Sequence, residues 1–208
     1  MGAGKGGGDM RGKFAAVIAA AGLSSRMGEF KPLLPFNGTT VIRRCAENLI
    51  KAGAEELVVV VGHRGAEIAG ALCGTGAVIV QNPDYSRTQM FDSLRLGLGA
   101  LDGAYDRVLL TPGDVPWVSP ALVRALTEAE ADFVCPVCGG RRGHPVSLAG
   151  RCVPALLAYG GAGGLRGAVE VLGFSTALVE TPEIGVTIDL DTPEDYRRLL
   201  SLIESSES

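Results

Sequence analysis

Histidine is scarce. Only two occur in 208 residues, His63 and His144, and no Ser-His-Asp set is evident that would activate a nucleophile. Long apolar runs are missing as well, and none reaches the roughly 18 residues needed to span a bilayer. The stretch near the start, Phe14 to Ala21, is short and runs into Gly, Ser and Arg rather than into a cleavage pattern, so it does not read as a signal peptide. A cytoplasmic address with no membrane partner is expected. Excess positive charge is absent too. A formal net charge of −4 excludes a general nucleic-acid binder, which needs a basic stripe to displace counterions, but allows a local cationic pocket. Five cysteines, an odd number without framework spacing, read as reduced thiols. The spacing Gly-x-Gly-x-x-Gly is missing from the first loop, which argues against an NAD-dependent dehydrogenase.

What is present is a globule-forming composition, 47% hydrophobic and 20% charged. Residues 1–13 are rich in glycine without apolar periodicity and read as a flexible tail. Gly2-Ala-Gly-Lys5 has no preceding strand and no following Ser or Thr, so it is not read as a phosphate loop. From Phe14 to Ser208 the pattern predicts one domain. Strands are expected at 15–20, 57–61, 77–81, 107–110, 132–137, 146–148 and 177–180. Helices are expected between them at 41–52, 64–72, 90–101, 120–130, 165–172 and 193–203. Leu57 to Val61 is apolar at every position, as a strand covered on both faces should be. Such alternation implies an α/β fold: a single three-layer α/β/α domain with a mostly parallel, Rossmann-like sheet. Ligands of such sheets sit at the carboxyl ends of the strands, so the loops after strands matter most.

The first of these loops runs Ala19-Ala-Ala-Gly-Leu-Ser-Ser-Arg-Met-Gly-Glu-Phe-Lys-Pro32. Small residues at Ala20, Ala21 and Gly22 let backbone approach a bulky anion, and successive N–H groups through Leu23 can form an anion nest. Ser24 and Ser25 add hydroxyls. Arg26 supplies a forked cation and Lys31 a compact one, suited to different oxygens of a triphosphate. The second loop is Thr111-Pro-Gly-Asp-Val-Pro-Trp117, which puts Gly113 and Asp114 at the carboxyl edge of the sheet. Asp114 can ligate Mg2+ while phosphates supply further oxygens, although Pro-Gly-Asp is also an ordinary turn. A further source of carboxylates is Ile188-Asp-Leu-Asp-Thr-Pro-Glu-Asp195, where Asp189 and Asp191 fall on one face of an extended segment. Thr192 and Asp195 suit a helix cap, which leaves Asp189 or Asp191 for metal.

Ala-Ala-Gly followed by Arg-Met-Gly and Lys, together with Gly113-Asp-x-Pro116, resembles the signature of the MobA-like NTP transferases, over essentially Phe14 to Ile203. The resemblance implies a fold of the nucleotide-diphospho-sugar transferase type. It also implies NTP contacts from the loop backbone, Arg26 and Lys31, and a metal ligand at Asp189 or Asp191 beside Asp114. Gln89 and Ser93 are implied to lie near base and ribose. Gly143-His-Pro145 is typical of the subgroup that modifies molybdopterin, which implies acceptor binding at His144, and Gly163-Gly-Leu-Arg166 implies a phosphate contact at Arg166. Two arginines, Arg141 and Arg142, join His144 in that turn and could receive a second phosphate-bearing substrate. Members using GTP show Leu-Ala-Gly-Gly where this chain has Ala19-Ala-Ala-Gly22, so the resemblance implies CTP, with GTP or another NTP as the alternative.

The activity so implied is Mg2+-dependent transfer of a nucleoside monophosphate to a phosphorylated acceptor, molybdopterin or another small phosphate, with release of pyrophosphate. The attacking phosphate is already anionic, so no dedicated base is needed, which agrees with the scarcity of histidine. A non-catalytic chaperone for a client molybdenum enzyme is the competing reading, and either a monomer or a homodimer is compatible. Cys135-Pro-Val-Cys138 has half of a zinc-binding pattern but no second pair, so edge or buried thiols are expected there.

Overall fold

A computed structural model of the chain describes residues 12–22, 29–188, 190 and 192–206. Strand β1 (Phe14–Ala20) is apolar along its length, mostly alanine around Val17 and Ile18, and almost wholly buried. It therefore takes the centre of the sheet, pairing in parallel with β4 (Glu56–Val61) on one side and β6 (Arg107–Pro112) on the other. Beyond β4 lies β5 (Val78–Gln81). Beyond β6 come β9 (Val146–Ala149), β7 (Phe133–Cys138) and β10 (Thr176–Glu180), giving the order β10-β7-β9-β6-β1-β4-β5.

The expectation of a mostly parallel sheet holds except at β9, which runs antiparallel to both β6 and β7, and at the two-residue strand that follows β7. A parallel return needs a crossover of a dozen or more residues. After β7 the chain instead turns at Gly139 and Gly140, both at positive φ, makes the short β8 (Arg141–Arg142) against β7, and comes back without a helix.

Alternate residues of β1 enter two separate cores. Ala16, Ile18 and Ala20 pack with α1 (Val41–Lys51), α2 (Gly65–Ala71), α4 (Pro120–Glu128) and Leu199 of α7 (Pro193–Ser206). Val17 packs with α3 (Met90–Gly99), α5 (Val153–Ala158) and α6 (Gly164–Val171) on the opposite face. These are the three expected layers. Some short elements were not read from the sequence. Among them are β8 and α5, too short to display a period, and the hairpin of β2 (Pro35–Phe36) and β3 (Thr39–Thr40), whose Asn37-Gly38 turn is a strong hairpin signal.

The helix ends follow local chemistry. Thr40 and Ser119 cap α1 and α4, accepting from Arg43 N–H at 3.4 Å and Leu122 N–H at 3.1 Å. Thr192 and Asp195 form the expected reciprocal cap, with Thr192 N–H to Asp195 Oδ2 at 2.9 Å and Asp195 N–H to Thr192 Oγ1 at 3.2 Å. At the amino end, Lys13 N–H donates to Asp106 Oδ2 at 2.8 Å, and residues 1–11, most of the expected tail, lie outside the described residues. Among the described residues no helix is long and apolar enough to cross a membrane.

Helix α3 lies tight on the sheet at Gly97, where a Cβ would overlap Val17 Cγ1 and sit 2.9 Å from Val60 Cγ2. Both neighbours are β-branched residues of central strands and cannot swing aside. Overpacking costs about 1–3 kcal/mol, while the gain in helix propensity of Val over Gly is only about 0.3 kcal/mol. Gly97→Val is therefore expected to lower the unfolding free energy by about 1–2 kcal/mol, read as an earlier urea midpoint at unchanged slope.

Candidate active site

Strands β1 and β6 are parallel neighbours, with Ala19 opposite Pro112, so both release their loops at the same edge of the sheet. Strand order also reverses at β1, since successive strands β4 and β5 go to one side and β6 to the other. That is where an open α/β sheet leaves a crevice. Gly113 N–H donates to Ala19 C=O at 2.9 Å, and a Cβ on Gly113 would stand 3.0 Å from both Ala20 Cβ and Ile42 Cδ1. Glycine allows the second loop to pass flat over the end of β1 and to deliver Asp114 beside the first loop.

The first loop returns at Phe30 into a 3-10 turn, Lys31–Leu33, with Pro32 at its start. Lys31 Nζ then lies 3.6 Å from Asp114 Oδ2, with side chains 12% and 22% exposed. Around this pair opens a cavity of about 220 Å³ lined by Ala20, Ala21, Gly22, Lys31, Gly113, Asp114, Gln89 and Ser93. Eight of the residues singled out from the sequence are thus brought together. Leu23, Ser24, Ser25, Arg26, Asp189 and Asp191 lie outside the described residues.

Ser93 is buried, and its hydroxyl accepts from Asn82 Nδ2 at 3.1 Å; the same amide reaches Thr88 Oγ1 at 2.9 Å. One asparagine thereby braces two hydroxyls of the cavity. Gln89 N–H donates to Asp92 Oδ2 at 2.8 Å, closing the start of α3. Tyr85, Thr88 and Pro112 also line the cavity and were not singled out from the sequence. A signal for Tyr85 exists at Gly62, where a Cβ would stand 2.6 Å from Ala21 C=O and against Tyr85, so a glycine is needed behind that ring.

A second, larger cavity of about 630 Å³ adjoins the first across Gln89 and Met90, which line both. Phe91, Leu94, Phe133, Val146 and Val169 give it an apolar wall, and Arg142, His144 and Arg166 give it cationic and hydrogen-bonding groups. His144 is set by its N–H, which donates to Val186 C=O at 2.9 Å. Gly143 packs so closely on Val186 that a Cβ would overlap its carbonyl. His144 and Arg166, distant in sequence, meet here. Arg141 is exposed and does not line this cavity.

The chemistry at Asp114 fits a hard divalent cation. Mg2+ asks for only one or two protein carboxylates when substrate phosphates and water complete its shell. Among the described residues no three His, Cys, Asp or Glu gather as a metal cluster. The residues flanking positions 189 and 191 are packed against the segment after Asp114. Glu183 accepts from Ser119 N–H at 2.9 Å and from the Ser119 hydroxyl, Gly185 abuts the Trp117 backbone, and Leu190 is fully buried. Cys135 and Cys138 stand three apart on β7, and their side chains enter opposite cores, so they cannot share one ion.

With this geometry in place, comparisons with known proteins are informative. A family model described as the MobA-like NTP transferase domain matches residues 16–178. The chain is 28% identical over 182 residues to an Escherichia coli K12 protein named molybdenum cofactor cytidylyltransferase, covering 86% of this chain and 92% of that one. Among solved structures, a nucleotidyl transferase from Methanothermobacter superimposes with a TM-score of 0.81 at 30% identity, covering 93% of this chain and 99% of that one. A manganese complex of a Mycobacterium tuberculosis H37Rv protein superimposes with a TM-score of 0.70 at 25% identity, covering 91% and 98%.

The Glu183 contact joins the start of α4 to the segment leading toward residue 189. Hydrogen bonds to a charged group contribute about 1.5–3 kcal/mol. Glu183→Ala is expected to lower the unfolding free energy within that range, measured by urea titration followed by circular dichroism, whereas Glu180→Ala on exposed β10 leaves the midpoint in place.

Proposed function

The chain belongs to the MobA-like NTP transferase family, and on that premise we propose that it transfers CMP from CTP to a phosphorylated acceptor of the molybdopterin type, releasing pyrophosphate. The observation that carries this reading is the meeting of Lys31 and Asp114, 3.6 Å apart, at the rim of a cavity floored by Ala20, Ala21 and Gly22. A cation and a hard carboxylate on one side of a small-residue backbone suit a metal-bound polyphosphate.

In the proposed reaction an acceptor phosphate oxygen attacks the α-phosphorus in line. A new P–O bond forms as the bond to the bridging oxygen breaks, and the electron pair leaves on pyrophosphate. Lys31, together with Arg26, stabilises the negative charge that accumulates on the phosphate oxygens. Asp114, with Asp189 or Asp191, is the proposed ligand set for Mg2+, which when bound offsets charge on the α- and β-phosphates. Gln89 and Ser93 are assigned to the nucleoside side. Arg142, His144 and Arg166 are assigned to the acceptor, whose phosphate needs cations and whose body needs the apolar wall.

Two features support the choice of substrates. Ala21 stands where GTP-using members carry a glycine, and the E. coli relative is named for CMP transfer to molybdenum cofactor. The second cavity, about 630 Å³ and flanked by Phe91 and Phe133, suits a flat ring system better than a small polyol phosphate. A client molybdenum enzyme would then receive the product.

The test is a matrix of four NTPs against molybdopterin and other small phosphates, scored by pyrophosphate formed. The expected maximum is CTP with molybdopterin. A maximum elsewhere in the matrix reassigns the substrates, and no turnover in any well favours a chaperone that binds nucleotide without reacting. Asp114→Ala is expected to abolish turnover in a folded protein, and Lys31→Met to lower kcat by about 10²–10³-fold. Arg166→Ala is expected to raise the acceptor KM about 10-fold or more, equivalent to about 1.4 kcal/mol, while the KM for CTP stays within about twofold; equal rises in both would refute the division of the clefts.

A further inference from the structure

We propose that Asn48, on the face of α1 turned toward the second loop, is a positioning residue that holds Asp114 at its working distance from Lys31; this rests on the metal role given to Asp114 above. Asn48 Nδ2 donates to Pro116 C=O at 2.7 Å, a contact between residues 68 apart in sequence. One turn earlier on the same face, Cys45 is buried, and with Asn48 it borders a small void against Val115. Ile42, one more turn back, limits the space at Gly113. The peptide groups on either side of Asp114 are therefore seated on one helix.

The same helix also fixes Lys31. Val41 N–H, at the start of α1, donates to Leu34 C=O at 3.0 Å, and Leu34 N–H donates to Lys31 C=O at 3.1 Å. Both members of the Lys31–Asp114 pair thus hang from α1, one from its beginning and one from its middle. Burial, and after it the charge of Asp114, pushes the Cys45 thiol well above its ordinary range. It stays a neutral packing group at any working pH and adds no second negative charge beside the carboxylate. Asn48 contributes a side-chain hydrogen bond to the loop from this helix face. A donor is required there because Pro116 offers only a carbonyl on that side.

A merely structural hydrogen bond would affect stability and leave the metal alone, and this separates the two roles. In the full chain, Asn48→Leu and Asn48→Ala remove the donor without adding charge, the second with the least bulk. Mn2+ binding is measured by the loss of its free-ion electron paramagnetic resonance signal in the presence of CTP, and CTP binding without metal by calorimetry. Loss of a direct outer partner of a metal ligand costs about 10–100-fold in metal affinity, and Asn48, which holds the ligand's loop at Pro116, is expected at the lower end, about 10-fold. That shift is expected in both variants, with metal-free CTP affinity within about twofold of the parent and a cooperative thermal transition retained. Asn48→Gln, which keeps the amide donor, is expected to recover part of the Mn2+ affinity.

A folded Asn48→Ala protein that binds Mn2+ as tightly as the parent would overturn the positioning role, as would an Asn48→Gln protein no better than Asn48→Leu. Should Asn48→Leu fail to fold, Asn48→Ala decides by the same criterion. If the parent chain itself takes up no Mn2+ with CTP, the metal role of Asp114 fails, a result separate from any effect of Asn48.

Discussion

The in-register parallel pairing of β1 with β6 is the constraint on which the rest depends. Ala19 opposite Pro112 means that two chain segments nearly a hundred residues apart leave the sheet side by side and in the same direction. An antiparallel pairing would send one loop to the opposite edge, and no side-chain adjustment could bring Asp114 back to Lys31. The pairing is secured by burial rather than polarity, since Ala15, Ala16, Val17 and Ile18 are fully buried between two cores. The site is therefore held by apolar strands that reach the cavity at their carboxyl ends, through Ala19, Ala20 and Pro112.

The polar groups at the rim contribute comparatively little to the fold. A partly exposed ion pair such as Lys31–Asp114 is worth about 1 kcal/mol or less. Removing one buried large aliphatic side chain costs about 2–5 kcal/mol. This asymmetry lets the rim hold opposite charges in an arrangement chosen for a ligand instead of for stability. In the proposed complex a triphosphate with its metal would bring both signs as well, so that cation would meet phosphate and carboxylate would meet metal. The hidden polar contacts act differently. Arg107, buried under β9, gives hydrogen bonds to Ser147 Oγ at 2.9 Å, Ser147 C=O at 3.1 Å and Ala131 C=O at 2.6 Å, which ties the antiparallel strand to the parallel half of the sheet.

The layered fold was legible because its strands are strongly patterned: Leu57–Val61 is apolar at every position, and the helices repeat at 3.6 residues. The antiparallel return of β9 was not legible, because Gly139-Gly140 signals a turn but does not say which neighbour the returning strand will choose. In the candidate site, Lys31, Gly113 and Asp114 were visible as loop chemistry at strand ends. Tyr85 and Asn48 were not. The first sits in a turn with no motif around it, and the second is an ordinary helical asparagine whose partner, Pro116, is met only after folding. Sequence patterns expose residues that act through their own local backbone; those that act through a distant segment become visible only with the topology.

The border between the two cavities has a consequence for the chemistry. Gln89 and Met90 line both, and they open α3, which Gly97 clamps against Val17 and Val60. The divider is thus attached to the central strands and not to a mobile loop. On the proposed reading, an attacking phosphate from the larger cavity would cross at Gln89 to reach a nucleotide in the smaller one, and its line of approach would be set by the same β1 that supports the small-residue backbone at Ala20 and Ala21. In-line displacement demands that nucleophile, phosphorus and leaving oxygen be nearly collinear, and holding that alignment can supply about 7–11 kcal/mol of the barrier reduction. On that reading a transfer that needs no dedicated base draws its rate from alignment and charge, and the groups assigned to both lie at the carboxyl ends of two adjacent strands, β1 and β6.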